Sequence, residues 1–304
     1  MFPSDCVIFS INFYERSDHM PSKYAFIPEK LENFYRNPEQ YRMKPFRIFG
    51  NLFFVGNMDV GSYIINTGDG LILIDTTYPT TRALLVQSIW EAGFSPGDIK
   101  LILHTHGHFD HFGGTSLIVS LSGAKTYLGA PDAEMFRIRP EMALIADSRY
   151  SYTEPFIPDV ELKDGDIIAL GDTKIRAVST PGHTKGVMTY IFSVTDCKET
   201  HIAGLYGGIG INTLCRDFIK KYGNSDCRDL YLKSLEKVRN EPVDIVLGNH
   251  TGQNRTQEKY KKMCENPSEK NHFIDPQEWS KFIDSAKAIY TRMLRDEADG
   301  TDQI

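Results

Sequence analysis

The sequence has no run of apolar residues that approaches the roughly 18 needed to cross a bilayer, and runs such as Leu101 to Leu103 have the length of a strand. The chain start lacks the basic region and the small-residue cleavage pattern of a secretory signal peptide, and it carries Asp5. We therefore expect a cytoplasmic protein that has no membrane partner.

The chain also has few cysteines and no excess of positive charge. The chain has 5 cysteines in 304 residues and no CxxC spacing. This excludes a disulfide scaffold and predicts free thiols, with a Cys215–Cys227 bridge as the main alternative. Because 34 Lys and Arg face 40 Asp and Glu, the net charge is −6, and we expect no nucleic-acid partner.

What is present is the composition of an ordinary globular protein with a sizeable core, 41% hydrophobic and 24% charged. Residues 1–45 show no clear periodicity and are interpreted as an N-terminal arm, with a short helix over Glu29 to Tyr35. Residues 46–304 are predicted to form a single domain that ends in charged helices between Thr256 and Asp296.

Apolar alternation and turn residues predict two similar halves in this domain. The first half is predicted to have strands at Phe46 to Val55, Gly61 to Asn66, Leu71 to Asp75 and Lys100 to Leu103, and helices at Thr80 to Ala92 and Thr115 to Ser122. After a loop-rich segment, Glu134 to Asp159, the second half is predicted to have strands at Ile167 to Leu170, Lys174 to Ser179, Met188 to Val194, His201 to Leu205 and Asp244 to Leu247, and a helix at Leu230 to Arg239. Strands before helices in both halves favour an α/β (α+β) fold, a four-layer αββα sandwich.

The strongest functional signal is a group of four histidines within eight residues, directly after the strand that ends at Leu103. The pattern His-x-His-x-Asp-His fits when it starts at His106. Alternating side chains let His106 and His108 share one metal, and the turn that follows directs Asp110 and His111 to a second position beside it. His104 is left over and is interpreted as a structural residue or a support behind the ligands.

Two isolated histidines are expected to complete the site. His183 lies in the Thr-Pro-Gly-His segment after the strand that ends at Ser179, and His250 lies in the Leu-Gly-Asn-His segment after the last strand. Loops that follow strands commonly carry sites, and zinc needs more ligands than two imidazoles. We therefore predict both as metal ligands.

These motifs together resemble the metallo-β-lactamase superfamily, and the resemblance runs from about Phe46 to Thr251. It implies that Asp75, which ends an early strand, orients a ligand imidazole. It also implies two zinc ions. The first would be held by His106, His108 and His183, and the second by Asp110, His111 and His250.

Within that superfamily the chain is most similar to the subclass B3 metallo-β-lactamases. Glyoxalase II, the acyl-homoserine lactonases and the flavodiiron proteins usually carry a metal-bridging aspartate after the fourth ligand, but Ala203 to Asn212 contains no carboxylate or thiol. Three departures weaken an antibiotic-resistance function: Gly208 stands where subclass B3 commonly has serine, His104 precedes the block, and no export signal is visible. Gly208, Tyr206 and Tyr152 are the predicted substrate contacts, with Phe156 and the arm as further candidates.

The resemblance implies a small-molecule hydrolase in which zinc supplies a metal-bound hydroxide near neutral pH and Asp110 is the catalytic carboxylate that orients it. The first hypothesis is opening of the β-lactam amide. The alternative is a lactone, thioester or other acyl bond, which the departures favour. A redox protein would need the missing bridging carboxylate, and a non-catalytic binding module would not need six ligands. The sequence leaves the oligomeric state open.

Overall fold

The computed structural model describes residues 21–26, 32–145, 153–267 and 270–303. Its strands are β1 Phe46–Phe49, β2 Leu52–Phe54, β3 Tyr63–Asn66, β4 Leu71–Ile74, β5 Ile99–Leu103, β6 Lys125–Gly129, β7 Val160–Leu162, β8 Ile167–Leu170, β9 Thr173–Ser179, β10 Met188–Thr195, β11 Thr200–Tyr206 and β12 Ile245–Gly248. Its α-helices are α1 Glu32–Arg36, α2 Arg82–Glu91, α3 Phe109–Phe112, α4 Thr115–Ser122, α5 Ala130–Ile138, α6 Arg216–Tyr222, α7 Cys227–Val238, α8 Thr256–Glu265 and α9 Glu278–Asp299.

The strands form two sheets. The first follows the order β1 to β7, antiparallel up to β4 and parallel from β4 to β7. The second has the order β12-β11-β10-β9-β8, and β11 and β12 run parallel. Because β4, β5 and β6 point one way in the first sheet and β9, β11 and β12 share a direction in the second, several strand ends meet at one edge of the sandwich.

Both sheets are buried on two faces, which is why their strands read as nearly continuous apolar runs. In β4, Ile72 and Ile74 face the second sheet, whereas Leu71 and Leu73 pack against α2 and α4. On the far side, the second sheet packs against side chains of α7 and α9, such as Leu235. The predicted αββα sandwich is confirmed.

Several predicted boundaries were wrong. The strand expected at Phe46 to Val55 is a hairpin of β1 and β2, because Gly50 adopts φ +50° and reverses the chain. The segment Glu134 to Asp159, expected as loop, begins inside α5. The helical tail consists of two helices, α8 and α9, and Phe273 is buried between them in the chain.

Other sequence-based expectations concern the arm and the thiols. In the arm, Ser22 forms an isolated β-bridge with Gln303. Helix α1 and a 3-10 turn lie between this bridge and β1 in the chain. Cys215 and Cys227 are buried free thiols, so the alternative of a bridge between them is wrong. Among the described residues no helix has both the length and the apolar character to span a membrane.

A buried ion pair fixes the two C-terminal helices to each other. The Nζ atom of Lys259 in α8 lies 2.7 and 2.6 Å from the carboxylate oxygens of Glu278 in α9, and the two side chains are only 7% and 13% exposed. An unpaired charge at either position would be costly, because it would have lost both water and its partner.

We predict that Lys259→Ala lowers the free energy of unfolding by about 3–5 kcal/mol, because Glu278 is left buried and unpaired. Urea denaturation of the two proteins measures this. Lys262→Ala is the matched control, since Lys262 lies on the same helix and pairs with Glu258 at 2.9 Å where both side chains are about half exposed; its effect should stay below about 1 kcal/mol. Equal effects of the two substitutions would contradict the prediction.

Candidate metal centre

The candidate site lies at the edge of the sandwich where strand ends from both sheets meet. Asp75 follows β4, the His106 to His111 segment follows β5 and continues into α3, His183 follows β9, and His250 follows β12. Two groups of side chains form there. The three-histidine group is His106, His108 and His183, and the Asp110 group is Asp110, His111 and His250.

The ring nitrogens of the three-histidine group converge on one point. His108 Nδ1 lies 3.0 Å from His106 Nε2 and 2.9 Å from His183 Nε2. A single nitrogen cannot donate to both neighbours, so hydrogen bonding alone does not explain the cluster. Nitrogens bound tetrahedrally to zinc at about 2.0–2.1 Å would lie about 3.3 Å apart. The donor set therefore fits a metal ion.

Burial keeps these three imidazoles neutral, which is the form that binds metals. It lowers the pKa of His106 and of His108 well below the ordinary value, with neighbouring imidazoles adding to the effect. It lowers the pKa of His183 to about 4. Because His183 Nδ1 lies 2.8 Å from the Gly210 carbonyl oxygen, its proton belongs there and its Nε2 lone pair faces the group.

The Asp110 group has a similar spacing but a different charge. Asp110 Oδ2 lies 3.3 Å from His111 Nε2 and 3.4 Å from His250 Nε2. Burial opposes ionisation of Asp110, yet the two histidines outweigh it and hold its pKa well below the ordinary value. Although burial acts against charge here too, the facing carboxylates raise the pKa of His111 to about 9 and that of His250 to about 10.

Asp75 supports His111 from behind, at the place where the sequence put a supporting carboxylate. Its Oδ2 lies 2.8 Å from His111 Nδ1, and the carboxylate also accepts hydrogen bonds from the Thr105 amide at 2.8 Å and the Thr105 hydroxyl at 2.7 Å. The opposite ring atom, His111 Nε2, is buried and makes no hydrogen bond of good geometry among the described residues, although Asp110 Oδ2 lies 3.3 Å away. A metal ion would satisfy that atom.

His104 belongs to neither group. Its Nδ1 donates to the Tyr127 carbonyl at 3.0 Å, and its Nε2 lies 2.7 Å from the Thr115 hydroxyl. That hydroxyl is 2.9 Å from Thr76 Oγ1, and the Thr76 amide donates to the His111 carbonyl at 2.8 Å. His104 therefore joins β6 and α4 to the backbone that carries the site.

Sequence reasoning missed Asp59, which lies beside His250. Asp59 Oδ1 is 3.3 Å from His250 Nδ1, and Asp59 Oδ2 accepts a hydrogen bond from the Tyr78 hydroxyl at 2.7 Å. The Asp59 carbonyl also accepts a hydrogen bond from the Thr251 amide at 2.8 Å. These contacts direct His250 Nε2 towards Asp110. In the sequence Asp59 is an ordinary turn residue, and only the tertiary structure brings it to His250.

Sequence reasoning also missed Asp132, which joins the two loops of the three-histidine group. This fully buried carboxylate accepts hydrogen bonds from the Gly107 amide at 2.7 Å, the Thr184 hydroxyl at 2.6 Å and the Gly186 amide at 2.8 Å. Burial raises the pKa of Asp132 to about 6 although these donors favour the ionised form. Asp132 thus sets the distance between the His108 and His183 loops.

Two of the three predicted substrate contacts, Tyr206 and Gly208, are buried in this structure. Tyr206 is 0% exposed and packs in the core, so it is not a substrate contact. Gly208 is buried behind His183, where an added Cβ would lie 2.8 Å from Val187 and 3.1 Å from His183. Phe156 packs on the ring of His104 at 4.6 Å. Tyr152 lies outside the described residues.

A cavity of about 290 Å³, here called the metal cavity, opens between the two groups. Its apolar wall consists of Phe26, Tyr78, Phe109 and Leu144, and its amide side chains are those of Asn212, Asn249 and Gln253. The Phe26 ring packs edge-on against Phe109, with ring centres 6.2 Å apart. The N-terminal arm therefore contributes to the wall of the metal cavity.

Comparison with known proteins agrees with this architecture. A family model described as the metallo-beta-lactamase superfamily matches residues 56–196. BJP-1, a subclass B3 metallo-β-lactamase of Bradyrhizobium japonicum, is 28% identical with a TM-score of 0.77, over 87% of this chain and 99% of that chain. A single-residue mutant of the FEZ-1 metallo-β-lactamase from Legionella gormanii is 30% identical with a TM-score of 0.75, over 84% and 97%.

Curated sequences give shorter matches. A hydroxyacylglutathione hydrolase of Maricaulis maris is 39% identical over 100 residues, which is 33% of this chain and 30% of that protein. The chain spans at most about half the length of the first curated relatives it matches. The chain belongs to the metallo-β-lactamase superfamily. Its structural neighbours include subclass B3 metallo-β-lactamases.

We predict that Asp59→Ala weakens metal binding at the Asp110 group by about 10- to 100-fold, because His250 loses the partner that fixes its orientation. Zinc titration against a competing chelator measures both sites, and the three-histidine group should keep its affinity. Asp59→Asn, which retains an acceptor oxygen, should lose less. Asp69→Ala, in an exposed turn, is the control. Unchanged affinity at both sites in Asp59→Ala would remove Asp59 from the centre.

We predict that Gly208→Ser displaces His183 and weakens binding at the three-histidine group several-fold, because no space exists for the Cβ atom. Gly208→Ala should do the same, which separates the steric effect from the hydroxyl. Gly252→Ala is the control, since nothing lies within 4 Å of its added Cβ. The same zinc titration is the measurement. Wild-type zinc affinity in Gly208→Ser would contradict the prediction, because it would show that the loop moves to accommodate the side chain.

Proposed function

We propose that this protein is a zinc-dependent hydrolase that opens the β-lactam amide. One observation carries the proposal: the two donor groups comprise five imidazoles and one aspartate, and the segment from Ala203 to Asn212 that runs beside them offers no bridging carboxylate. The subclass B3 structures that align over nearly their whole length support it.

In this proposal His106, His108 and His183 hold one zinc ion and Asp110, His111 and His250 hold the second. When bound, zinc would lower the pKa of water to about 7 and would supply a positive charge that polarises a carbonyl oxygen. Histidine and aspartate are suitable donors for it. Asp75 and Asp59 keep Nε2 of His111 and of His250 directed into the centre by accepting the protons on the Nδ1 atoms.

Asp110 acts on the attacking water. Its low pKa keeps the carboxylate ionised, and its side chain is 14% exposed, towards the metal cavity. There it accepts a hydrogen bond from the water and directs the oxygen lone pair at the carbonyl carbon. The oxygen forms a bond to that carbon, the amide carbon–nitrogen bond breaks, and the proton taken by Asp110 passes to the departing nitrogen.

Apart from the two donor groups, the walls of the metal cavity orient the substrate without a charged side chain. Asn212 and Gln253 offer neutral amide donors to substrate oxygens, and Tyr78 and Phe109 offer aromatic surface. Strained cyclic acyl compounds suit such a site because ring opening needs little movement of the leaving group. The same walls accommodate other acyl compounds.

A thioester is the second candidate substrate. The observation that favours it is the similarity to hydroxyacylglutathione hydrolases from two bacteria, which covers 33% and 41% of this chain. The donor set would serve either reaction, because both begin with attack of water on a carbonyl carbon.

We predict that the zinc-loaded protein hydrolyses a chromogenic cephalosporin and a carbapenem with kcat/KM above about 10⁴ M⁻¹s⁻¹, and that a chelator abolishes the activity. Asp110→Asn should lose about 10²- to 10⁴-fold in kcat, because the amide cannot accept the proton. Asp69→Asn is the control. Chelator-sensitive turnover of a hydroxyacylglutathione thioester with weak β-lactam turnover would favour the second candidate, and no metal-dependent hydrolysis of either would refute both.

A further inference from the structure

His104 opens the histidine cluster but belongs to neither donor group, and the reaction proposed above does not use it. Its ring is 0% exposed. Nδ1 lies 3.0 Å from the Tyr127 carbonyl oxygen, and Nε2 lies 2.7 Å from the Thr115 hydroxyl. The Phe156 ring packs on the imidazole, and the Tyr190 hydroxyl donates to the His104 carbonyl at 2.7 Å. A polar side chain so buried and so fully bonded has one defined orientation.

The partners of His104 fix the direction of a chain of hydrogen bonds. Both ring partners are uncharged and the ring is buried, so the imidazole is neutral and carries one proton. The Tyr127 carbonyl can only accept, so that proton is on Nδ1, and Nε2 accepts from the Thr115 hydroxyl. Since Thr115 has then used its own proton, Thr76 is the donor in the 2.9 Å contact between the two hydroxyls. The chain therefore runs from Thr76 through Thr115 to His104.

This chain ends on the backbone that carries part of the Asp110 group. The Thr76 amide donates to the His111 carbonyl at 2.8 Å, and the Thr76 hydroxyl lies 3.2 Å from the same oxygen. The Thr76 carbonyl accepts a hydrogen bond from the Gly114 amide at 3.2 Å, and α4 begins at the next residue, Thr115. Thr76 therefore holds the C-terminal end of α3, the four-residue helix that contains Asp110 and His111.

The two donor groups differ in what supports them. A helix of four residues is not stable by itself, so the positions of Asp110 and His111 depend on contacts that α3 makes with the rest of the fold. The loops of His108 and His183 are instead joined by the Asp132 carboxylate. A change in the His104 chain should therefore affect the Asp110 group and leave the three-histidine group in place.

We propose that His104 is a positioning residue of the metal centre. Through two threonine hydroxyls it holds α3 where Asp110 and His111 can bind one ion together. An imidazole suits this position because its two nitrogens lie on opposite sides of a rigid ring, so that one donates to β6 while the other accepts from α4. The proposal rests on the zinc binding proposed above and is independent of which acyl bond is cleaved.

Single-site backgrounds allow the two groups to be measured separately by zinc titration against a competing chelator. His183→Ala leaves the Asp110 group, and His250→Ala leaves the three-histidine group. In the first background His104→Asn should weaken zinc binding about 10- to 100-fold, the usual result of losing a contact behind a ligand. The reason is that asparagine keeps a donor for Tyr127 but does not reach Thr115. In the second background His104→Asn should leave the zinc affinity unchanged.

A rescue variant and a control separate this role from general packing. His104→Gln should recover most of the lost affinity, because a glutamine oxygen can take the place of Nε2 and accept from Thr115. Thr115→Val removes the same contact with a smaller change of shape, so it should reproduce His104→Asn and serves as the test if that variant does not fold. Thr189→Val is the matched control, since Thr189 is also buried and its hydroxyl lies 2.8 Å from that of Thr180; it should not change zinc binding at the Asp110 group.

Equal loss of zinc affinity in both backgrounds, or no recovery in His104→Gln, would refute a positioning role for His104. Wild-type zinc affinity of the Asp110 group in Thr115→Val would refute it as well. Absence of zinc binding by the unmodified protein would refute the proposed metal centre and this role with it. A selective loss at the Asp110 group in a protein that hydrolyses no acyl substrate would support the role of His104 and refute only the hydrolase.

Discussion

The carboxylate of Asp75 is the contact on which the geometry of the candidate site depends most. It is fully buried where β4 ends and holds the amide and hydroxyl of Thr105 and the ring of His111. Asp75 itself adopts φ +57°, an uncommon conformation for a residue other than glycine. One carboxylate therefore fixes both the start of the histidine segment and the residue at its end, so the loop between them has little freedom.

Two more carboxylates extend this arrangement to parts of the chain that are far apart in sequence. Asp132 connects the His108 loop to the His183 loop, and Asp59 connects the turn after β2 to His250. Asp132 replaces water around polar groups that the fold buries, whereas Asp59 is 39% exposed and orients an imidazole at the edge of the metal cavity. The donor atoms can therefore lie about 3 Å apart without a covalent link between the loops, because backbone amides and hydroxyls hold those loops from behind.

The sequence alone was enough to find the histidines that the structure brings together, but not most of the carboxylates that hold their loops in place. His106, His108, Asp110 and His111 are local in sequence, so their spacing alone predicts how they face. His183 and His250 could be found because strand ends share an edge. Asp132, by contrast, lies 25 residues from Gly107 and 54 from Gly186, and in sequence it is simply an acid in the first turn of a helix. The prediction of Gly208 as a substrate contact was wrong for a related reason. Val187 and His183 occupy the space beside its Cα atom, and the sequence does not show that they lie there.

The two donor groups differ in charge, and the carboxylates around them set this difference. Three carboxylates, Asp59, Asp75 and Asp110, surround the Asp110 group, whereas the three-histidine group consists of neutral imidazoles. A dication would be compensated at the Asp110 group and would keep most of its charge at the three-histidine group. In the hydrolase proposed above, the carbonyl oxygen of a substrate would therefore be best polarised beside His108 and His183.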